Sequence, residues 1–349
     1  MIEVGIVGGS GYSGGELLRI LVGHPSAKIK WVTSRGEKKL EKVHRNLIGF
    51  GLEFCKPEEA GDCDVVFLCT PATVSMKYAK DYLERGIKVI DMAADFRLKS
   101  PELYKKVYKT EHAAPELLKE AVYGTTELKR GKIAKARIVA NPGCYSNTVI
   151  LGLAPLVKSG LVELDSIVVN ALSGTSGAGA ECSVFTHHSE IATGAFPYNV
   201  VKHRHTYEME QELSEVAGKE VRIHFSCYYT PFVRGILAGC NAFLKKSATR
   251  EKILEVYKEF YKGEYFIRIL DFEKEGASTE YIPYPTTGSV AGSNFCQIGV
   301  DVDDERGRVV VFSATDNLMK GASGQGVQNM NVMMGIDEKT ALAFPGLHP

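Results

Sequence analysis

Several features that would direct the chain toward other functions are missing. Its 349 residues carry 42 basic and 42 acidic side chains, so there is no net charge to draw it onto nucleic acid or an anionic membrane surface. No apolar run approaches the roughly 20 residues needed to span a bilayer, and no basic segment followed by an apolar one opens the sequence. A cytoplasmic protein is expected, with neither membrane nor nucleic acid as partner. The eight cysteines stand far apart, at 55, 63, 69, 144, 182, 227, 240 and 296, with no C-x-x-C among them. Neither a metal site nor a disulfide framework is expected, and free thiols in a reducing compartment are. Internal repeats and low-complexity stretches are absent as well. Apolar residues are plentiful at 44%, enough at this length for two cores rather than one.

The N-terminus is the first informative stretch. A β-branched run, Ile2 to Val7, ends in Gly8-Gly9-Ser10-Gly11-Tyr12-Ser13-Gly14-Gly15, and a helical pattern follows from Glu16 to Val22. A strand, a glycine turn and a helix in succession form the context for dinucleotide binding, because backbone approaches a pyrophosphate only where side chains are missing. The spacing Gly8-x-x-Gly11-x-x-Gly14 departs from the usual G-x-G-x-x-G. No acid stands at the end of the second strand, Ile29 to Thr33. Ser34-Arg35 stand there instead, and a hydroxyl with a guanidinium suits a 2′-phosphate, which favours NADP over NAD.

Further apolar strands at 64–71 and 87–91, with a helical segment from Ala72 to Arg85 between them, continue the alternation of a doubly wound parallel sheet. The stretch 95–135 has no clean period and reads as helix and loop. Beyond it, Ile138-Val139 leads into Ala140-Asn141-Pro142-Gly143-Cys144-Tyr145, and the pattern Tyr145, Val149, Leu153, Leu156 places Cys144 at a helix N-terminus. Unpaired N–H groups and the macrodipole favour a thiolate there. Two readings stay open on this stretch alone, a nucleophile and a small buried hydrophobe. After residue 160 strands recur at 166–172, 221–229, 235–243, 295–302 and 309–314, with one helix near 249–261. That run without βα alternation indicates an α+β second domain.

His203-Arg204-His205-Thr206-Tyr207-Glu208 is the densest titratable cluster. His205 and Glu208 stand three apart at a helix start, where a carboxylate can orient an imidazole for proton transfer. Thiol, imidazole and nicotinamide together specify a reaction class. A carboxylate carbon is too weak an electrophile for hydride, so reduction at that level passes through a thioester, made by a cysteine thiolate attacking an acyl phosphate. Arg234, Arg204 and Lys202 are candidates for holding anionic substrate groups.

These motifs, with Asp91 and Asp95-Phe96-Arg97, Ser173-Gly174 and Ser176-Gly177-Ala178-Gly179, Arg234-Gly235, and Asp316-Asn317 with its Gly/Gln/Asn tail, resemble the N-acetyl-γ-glutamyl-phosphate reductase family, including its carrier-protein-linked aminoadipyl/glutamyl branch. The resemblance is nearly end to end. It implies an α/β Rossmann-like doubly wound domain (1–145), an α+β catalytic domain of semialdehyde-dehydrogenase type (146–315), and a C-terminal helix returning to the first domain (316–349). It implies NADP(H) held by Ser10, Gly11, Tyr12, Ser13, Gly14, Ser34, Arg35, Ser173, Gly174 and Asn317. Cys144 is then the nucleophile and His205 the acid/base, backed by Glu208, with His203 the other candidate for that role. A homo-oligomer, dimer or tetramer, is implied too. Ser146-Asn147 after the Cys144 turn, Cys227-Tyr228, His187-His188 and 292–296 incline the reading to a substrate presented on a small acidic amino-group carrier protein. The alternatives are the acetylated substrate of arginine biosynthesis and, more remotely, an NADP sensor without catalysis.

Overall fold

The computed structural model describes residues 1–36, 39–271 and 282–347, and the chain divides into two compact units. One comprises Met1–Pro142 with Ala322–Phe344, the other Gly143–Gly321 with Pro345–Pro349.

The first unit is built on a six-stranded parallel sheet. Its strands are β1 (Ile2–Val7), β2 (Ala27–Thr33), β3 (Val65–Leu68), β4 (Lys88–Asp91), β5 (Val122–Tyr123) and β6 (Ile138–Ala140), in the order β2-β1-β3-β4-β6-β5. β3 is buried along its whole length, as a strand covered on both faces must be, so its sequence is a continuous apolar run. Helix α1 (Tyr12–Leu21) starts inside the glycine motif rather than at Glu16. A Cβ on Gly14 would stand 2.6 Å from Gly9 O, so the missing side chain is what lets the first helical turn fold back onto the strand end.

The expected helix over 72–85 is cut to α2 (Ala79–Glu84) preceded by a 3₁₀ turn at Ser75–Lys77. The buried Asp95 carboxylate explains this. It accepts from Thr73 N (2.6 Å), Ser75 Oγ (2.8 Å) and Met76 N (3.1 Å), holding the segment in a loop. In the region without clean period, α3 (Pro101–Tyr108) has a regular start and stop: Ser100 Oγ caps Leu103 N, Pro101 occupies the first turn, and Lys109 closes the helix at φ 56°. Short β5 then precedes α4 (Thr126–Ile133).

The second unit carries a seven-stranded mixed sheet. Its strands are β7 (Ile167–Ser173), β8 (Phe196–Tyr198), β9 (Ile223–Tyr229), β10 (Ile236–Phe243), β11 (Ile267–Leu270), β12 (Cys296–Asp303) and β13 (Arg308–Thr315), in the order β11-β12-β13-β10-β7-β9-β8. β11 and β8 are short edge strands that the sequence pattern did not reveal. Three helices, α5 (Cys144–Ser159), α6 (His205–Ala217) and α7 (Arg250–Phe260), pack on the sheet. The strands alternate buried and exposed residues; along β7 every second side chain, Val168, Asn170 and Leu172, turns to the uncovered face.

α5 is buried from Tyr145 to Val157, and apolar over that length except for Ser146, Asn147 and Thr148 in the first turns. Pro155 lies in its interior and removes the N–H that Leu151 O would accept. Tyr261 Oη takes that place, donating to Leu151 O at 2.6 Å.

The last helix, α8 (Gly324–Met333), belongs to the first unit and joins it through buried amides. Asn329 Nδ2 donates to Gly124 O (2.9 Å) and to Asn141 Oδ1 (3.1 Å), and Gln325 Nε2 donates to Gly124 O (2.8 Å). The units divide after Pro142 and after Gly321, where the sequence reading placed 145 and 315. The Cys144 turn and residues 316–321 pack together within the second unit, Asn147 Nδ2 donating to Lys320 O at 2.8 Å, and this draws both boundaries to their observed positions.

Candidate active site

Gly143, extended at φ −68° and ψ 149°, caps α5 and makes Cys144 its first helical residue. The thiol thus sits where helical N–H groups lack acceptors. One of the donors at this turn is taken: Gly143 N donates to Glu208 Oε2 at 3.1 Å. The other oxygen, Glu208 Oε1, lies 3.9 Å from His205 Nε2. A single fully buried carboxylate therefore ties the cysteine turn to the first turn of α6, where His205 and Glu208 share a face.

The two histidines differ. His203 Nδ1 accepts from His205 N (3.2 Å), which puts the proton of the neutral ring on Nε2. Burial, helped by the neighbouring Arg204 charge, lowers the His203 pKa to about 4, so this ring stays neutral through the physiological range. Its faces pack edge-on against Tyr145, Tyr198 and Phe225, with centroids 5.3–5.7 Å apart. Tyr198 Oη donates to Tyr145 Oη at 3.1 Å, and burial holds both phenols far above their ordinary range.

The two histidines, Tyr145 and Tyr198 line a cavity of about 320 Å³ together with Cys144, Lys202, Arg204 and Ser173. Two cationic side chains, Lys202 and Arg204, beside the thiol and the two imidazoles suit this cavity to an anionic ligand. Ser173, expected to touch cofactor, is in this lining. Gly174 turns the chain tightly, a Cβ there meeting Val233 O at 2.5 Å. Asn317 is buried as a brace: its Oδ1 accepts from Gly235 N (2.8 Å) and its Nδ2 donates to Ser176 Oγ (2.9 Å). Arg234 is paired with Asp316 at 3.0 Å. Tyr198 was missed from sequence because β8 is only three residues long and gives no period.

The glycine turn lies in the first unit. Gly8 adopts φ 81°, and a Cβ on it would stand 2.6 Å from Cys69 O, so no other residue fits. Gly11 caps α1 with open space where its Cβ would be, leaving the helix N-terminus approachable beside Ser10, Tyr12 and Ser13. Gly9 N donates to Thr33 O (3.0 Å) and Gly8 N to Thr33 Oγ1 (3.2 Å), which sets Ser34-Arg35 directly after the residue that anchors the turn. His44 Nε2 donates to Gly9 O at 2.8 Å, a support no local pattern announces because 35 residues separate the pair. At the end of β3, Thr70 Oγ1 is buried with no partner among the described residues, a hydroxyl left over beside the turn. Bare glycine backbone, an open helix N-terminus and this spare hydroxyl fit a dinucleotide phosphate.

Among the described residues no group of three or more His, Cys, Asp or Glu could hold a metal ion, and no helix is long and apolar enough to cross a membrane.

Residues 3–136 match the family described as semialdehyde dehydrogenase, NAD binding domain, and residues 144–317 match semialdehyde dehydrogenase, dimerisation domain. The chain is 44% identical over the full length of both proteins to the N-acetyl-γ-glutamyl-phosphate reductase of Desulforamulus reducens, and 46% identical, again over both full lengths, to that of Archaeoglobus fulgidus. Among solved structures it resembles aspartate semialdehyde dehydrogenase II from Vibrio cholerae, with a TM-score of 0.71 at 19% identity over 96% of this chain and 99% of the other. Aspartate semialdehyde dehydrogenase with NADP from Candida albicans gives 0.65 at 16% identity over 96% and 98%. A glycine turn at the end of β1, and a cysteine at the first position of a helix lining one cavity with two histidines, thus stand in a chain matched along its whole length. The chain belongs to the N-acetyl-γ-glutamyl-phosphate reductase family of semialdehyde-dehydrogenase-type oxidoreductases.

Proposed function

We propose that this enzyme reduces N-acetyl-γ-glutamyl phosphate to the corresponding semialdehyde, as an NADPH-dependent step of arginine biosynthesis, through a thioester on Cys144. The observation that carries the reading is Glu208 joining the Cys144 turn to His205 beside an anion-suited cavity. The Cys144 thiolate attacks the acyl carbon; a C–S bond forms, the C–O bond to phosphate breaks, and inorganic phosphate departs. The Gly8–Ser13 turn and Ser34-Arg35 would hold NADPH, which would supply the hydride that reduces the thioester. His205 gives its proton to the oxygen of the thiohemiacetal that results and recovers it as the C–S bond breaks, releasing aldehyde and thiolate. N–H groups of the first turn of α5 stabilise the oxyanion. His203, neutral with a fixed N–H, is a donor rather than a proton carrier.

The residues that inclined the sequence reading to a carrier-linked substrate are largely interior. Ser146 and Asn147 are fully buried, Cys227 Sγ donates to Tyr198 O (3.3 Å), and Ser293, Asn294 and Cys296 are buried. They pack the unit instead of facing substrate, and the relatives quoted above are named for the acetylated one. The test follows NADPH formation from N-acetylglutamate semialdehyde and phosphate, with Cys144→Ser alongside and a carrier-linked semialdehyde as competitor. Wild type is expected to turn over the acetylated substrate only with phosphate, and Cys144→Ser to be inactive. Turnover without phosphate, activity in Cys144→Ser, or a strong preference for the carrier-linked compound overturns the reading.

We further propose a homodimer formed through the uncovered face of the second unit's sheet. That face bears the exposed Val168, with Leu172, Leu237, Val310 and Phe312 lining a hollow of about 640 Å³, and apolar surface of this kind marks an interface. Phe312→Arg is expected to halve the mass seen by light scattering; an unchanged mass rejects this face.

A further inference from the structure

We infer that Gly321 is a positioning residue, fixing the Cys144 thiol through bare backbone; the inference rests on the thioester reading above. Residues Met319–Ser323 form a π-helical turn, an irregularity met mostly at functional sites. A dedicated set of bonds builds it. Asp316 Oδ1 accepts from Leu318 N (2.7 Å) and Met319 N (2.9 Å), and Asp316 O accepts from Gly321 N, five residues on, at 2.8 Å. Asp316 Oδ2 is held in turn by Arg234 Nη1 (3.0 Å) and Gly292 N (2.6 Å), so the fully buried carboxylate has no freedom to drift. One residue before the glycine, Lys320 O accepts from Asn147 Nδ2 of α5 at 2.8 Å.

The outcome is a backbone pressed onto the nucleophile. A Cβ on residue 321 would stand 3.0 Å from Cys144 Cβ, 3.3 Å from Cys144 Cα and 3.1 Å from Asp316 O. Non-bonded carbons rest at about 3.5–4.0 Å, so even a methyl group must push Cys144 or the turn aside by several tenths of an ångström. A side chain at 321 is accommodated only if the π turn or the thiol-bearing carbon gives way. The turn therefore limits where the sulfur can stand relative to the α5 N–H groups and to His205. Misplacing reacting atoms by 1 Å costs about 10²-fold in rate, which puts the expected penalty for the smaller shift near 10-fold.

The experiment compares full-length wild type, Gly321→Ala, Asn147→Ser and Cys144→Ser. It measures unfolding temperature, kcat and KM separately, and the pH profile of thiol alkylation by iodoacetamide. Gly321→Ala is expected to stay folded, keep KM within about twofold and lose about 10-fold in kcat, with a displaced alkylation midpoint. A role in packing alone would lower the unfolding temperature and leave kcat and the midpoint unchanged; that result overturns the inference. If Gly321→Ala does not fold, Asn147→Ser decides on the same readouts, since it keeps the glycine and removes the tether on Lys320 O. Activity in Cys144→Ser would sink the thioester reading itself. An inactive Cys144→Ser with unaffected Gly321→Ala and Asn147→Ser would sink only the positioning role.

Discussion

His203 and His205, two residues apart, are separated chemically by what each ring touches. His205 has a buried carboxylate oxygen 3.9 Å from Nε2, whereas His203 has spent Nδ1 on a backbone N–H and lies among aromatic rings. His205→Asn is expected to lower the hydride-step rate by about 10²–10⁴ and to abolish one limb of the pH–rate profile, while His203→Asn keeps both limbs. Stability separates them too. With its folded pKa depressed from 6.5 to about 4, the folded state binds the His203 proton less readily than the unfolded chain. Its contribution is therefore intact above the unfolded value and is lost as pH falls through that window, on the order of 3 kcal/mol in all. Denaturant unfolding of wild type against His203→Asn between pH 7 and pH 4 checks this, and a difference that does not shrink with acid refutes it.

At the level of elements, α5 shows how a helix tolerates a proline in its interior when a neighbour replaces the lost donor. Removing that neighbour's hydroxyl, Tyr261→Phe, leaves Leu151 O buried without the 2.6 Å bond that Tyr261 supplies. The expected cost is about 1–3 kcal/mol, read as a drop of several degrees in Tm with the aromatic packing kept. Elements fixed by local chemistry were legible in the sequence: the glycine turn, the cap before Cys144, the His205/Glu208 offset and the long alternating strands. Elements set by distant partners were not. β5, β8 and β11 have two to four residues each, too few for a period to show. The helix expected over 72–85 was shortened by Asp95, some 20 residues away, and the Gly143–Glu208 bond spans 65 residues. The interior role of Ser146, Asn147 and Cys227 was hidden for the same reason, since burial is a property of the packed unit and not of the local string.

On the scale of the molecule, the second unit is, apart from 345–349, one stretch, 143–321, inserted in the sequence of the first, which resumes at Ala322. Its two ends touch, for Gly321 lies against Cys144. The cut ends of the first unit also touch: Asn141 Nδ2 donates to Ala322 O at 2.9 Å. This is the topology of an inserted domain, in which neighbouring ends make excision and grafting tolerable. A chain joining 1–142 to 322–344 through two or three glycine or serine residues is expected to fold, keep helical circular dichroism and bind NADPH without reductase activity; failure to bind while folded would show that the cofactor cradle is incomplete alone. The same topology has a consequence for inheritance. With both entry and exit at Cys144, the inserted stretch carries Cys144, His203, His205, Glu208 and Gly321 as one cassette, so a single recombination event can move the residues of the proposed acyl-transfer chemistry together and leave the host sequence uninterrupted.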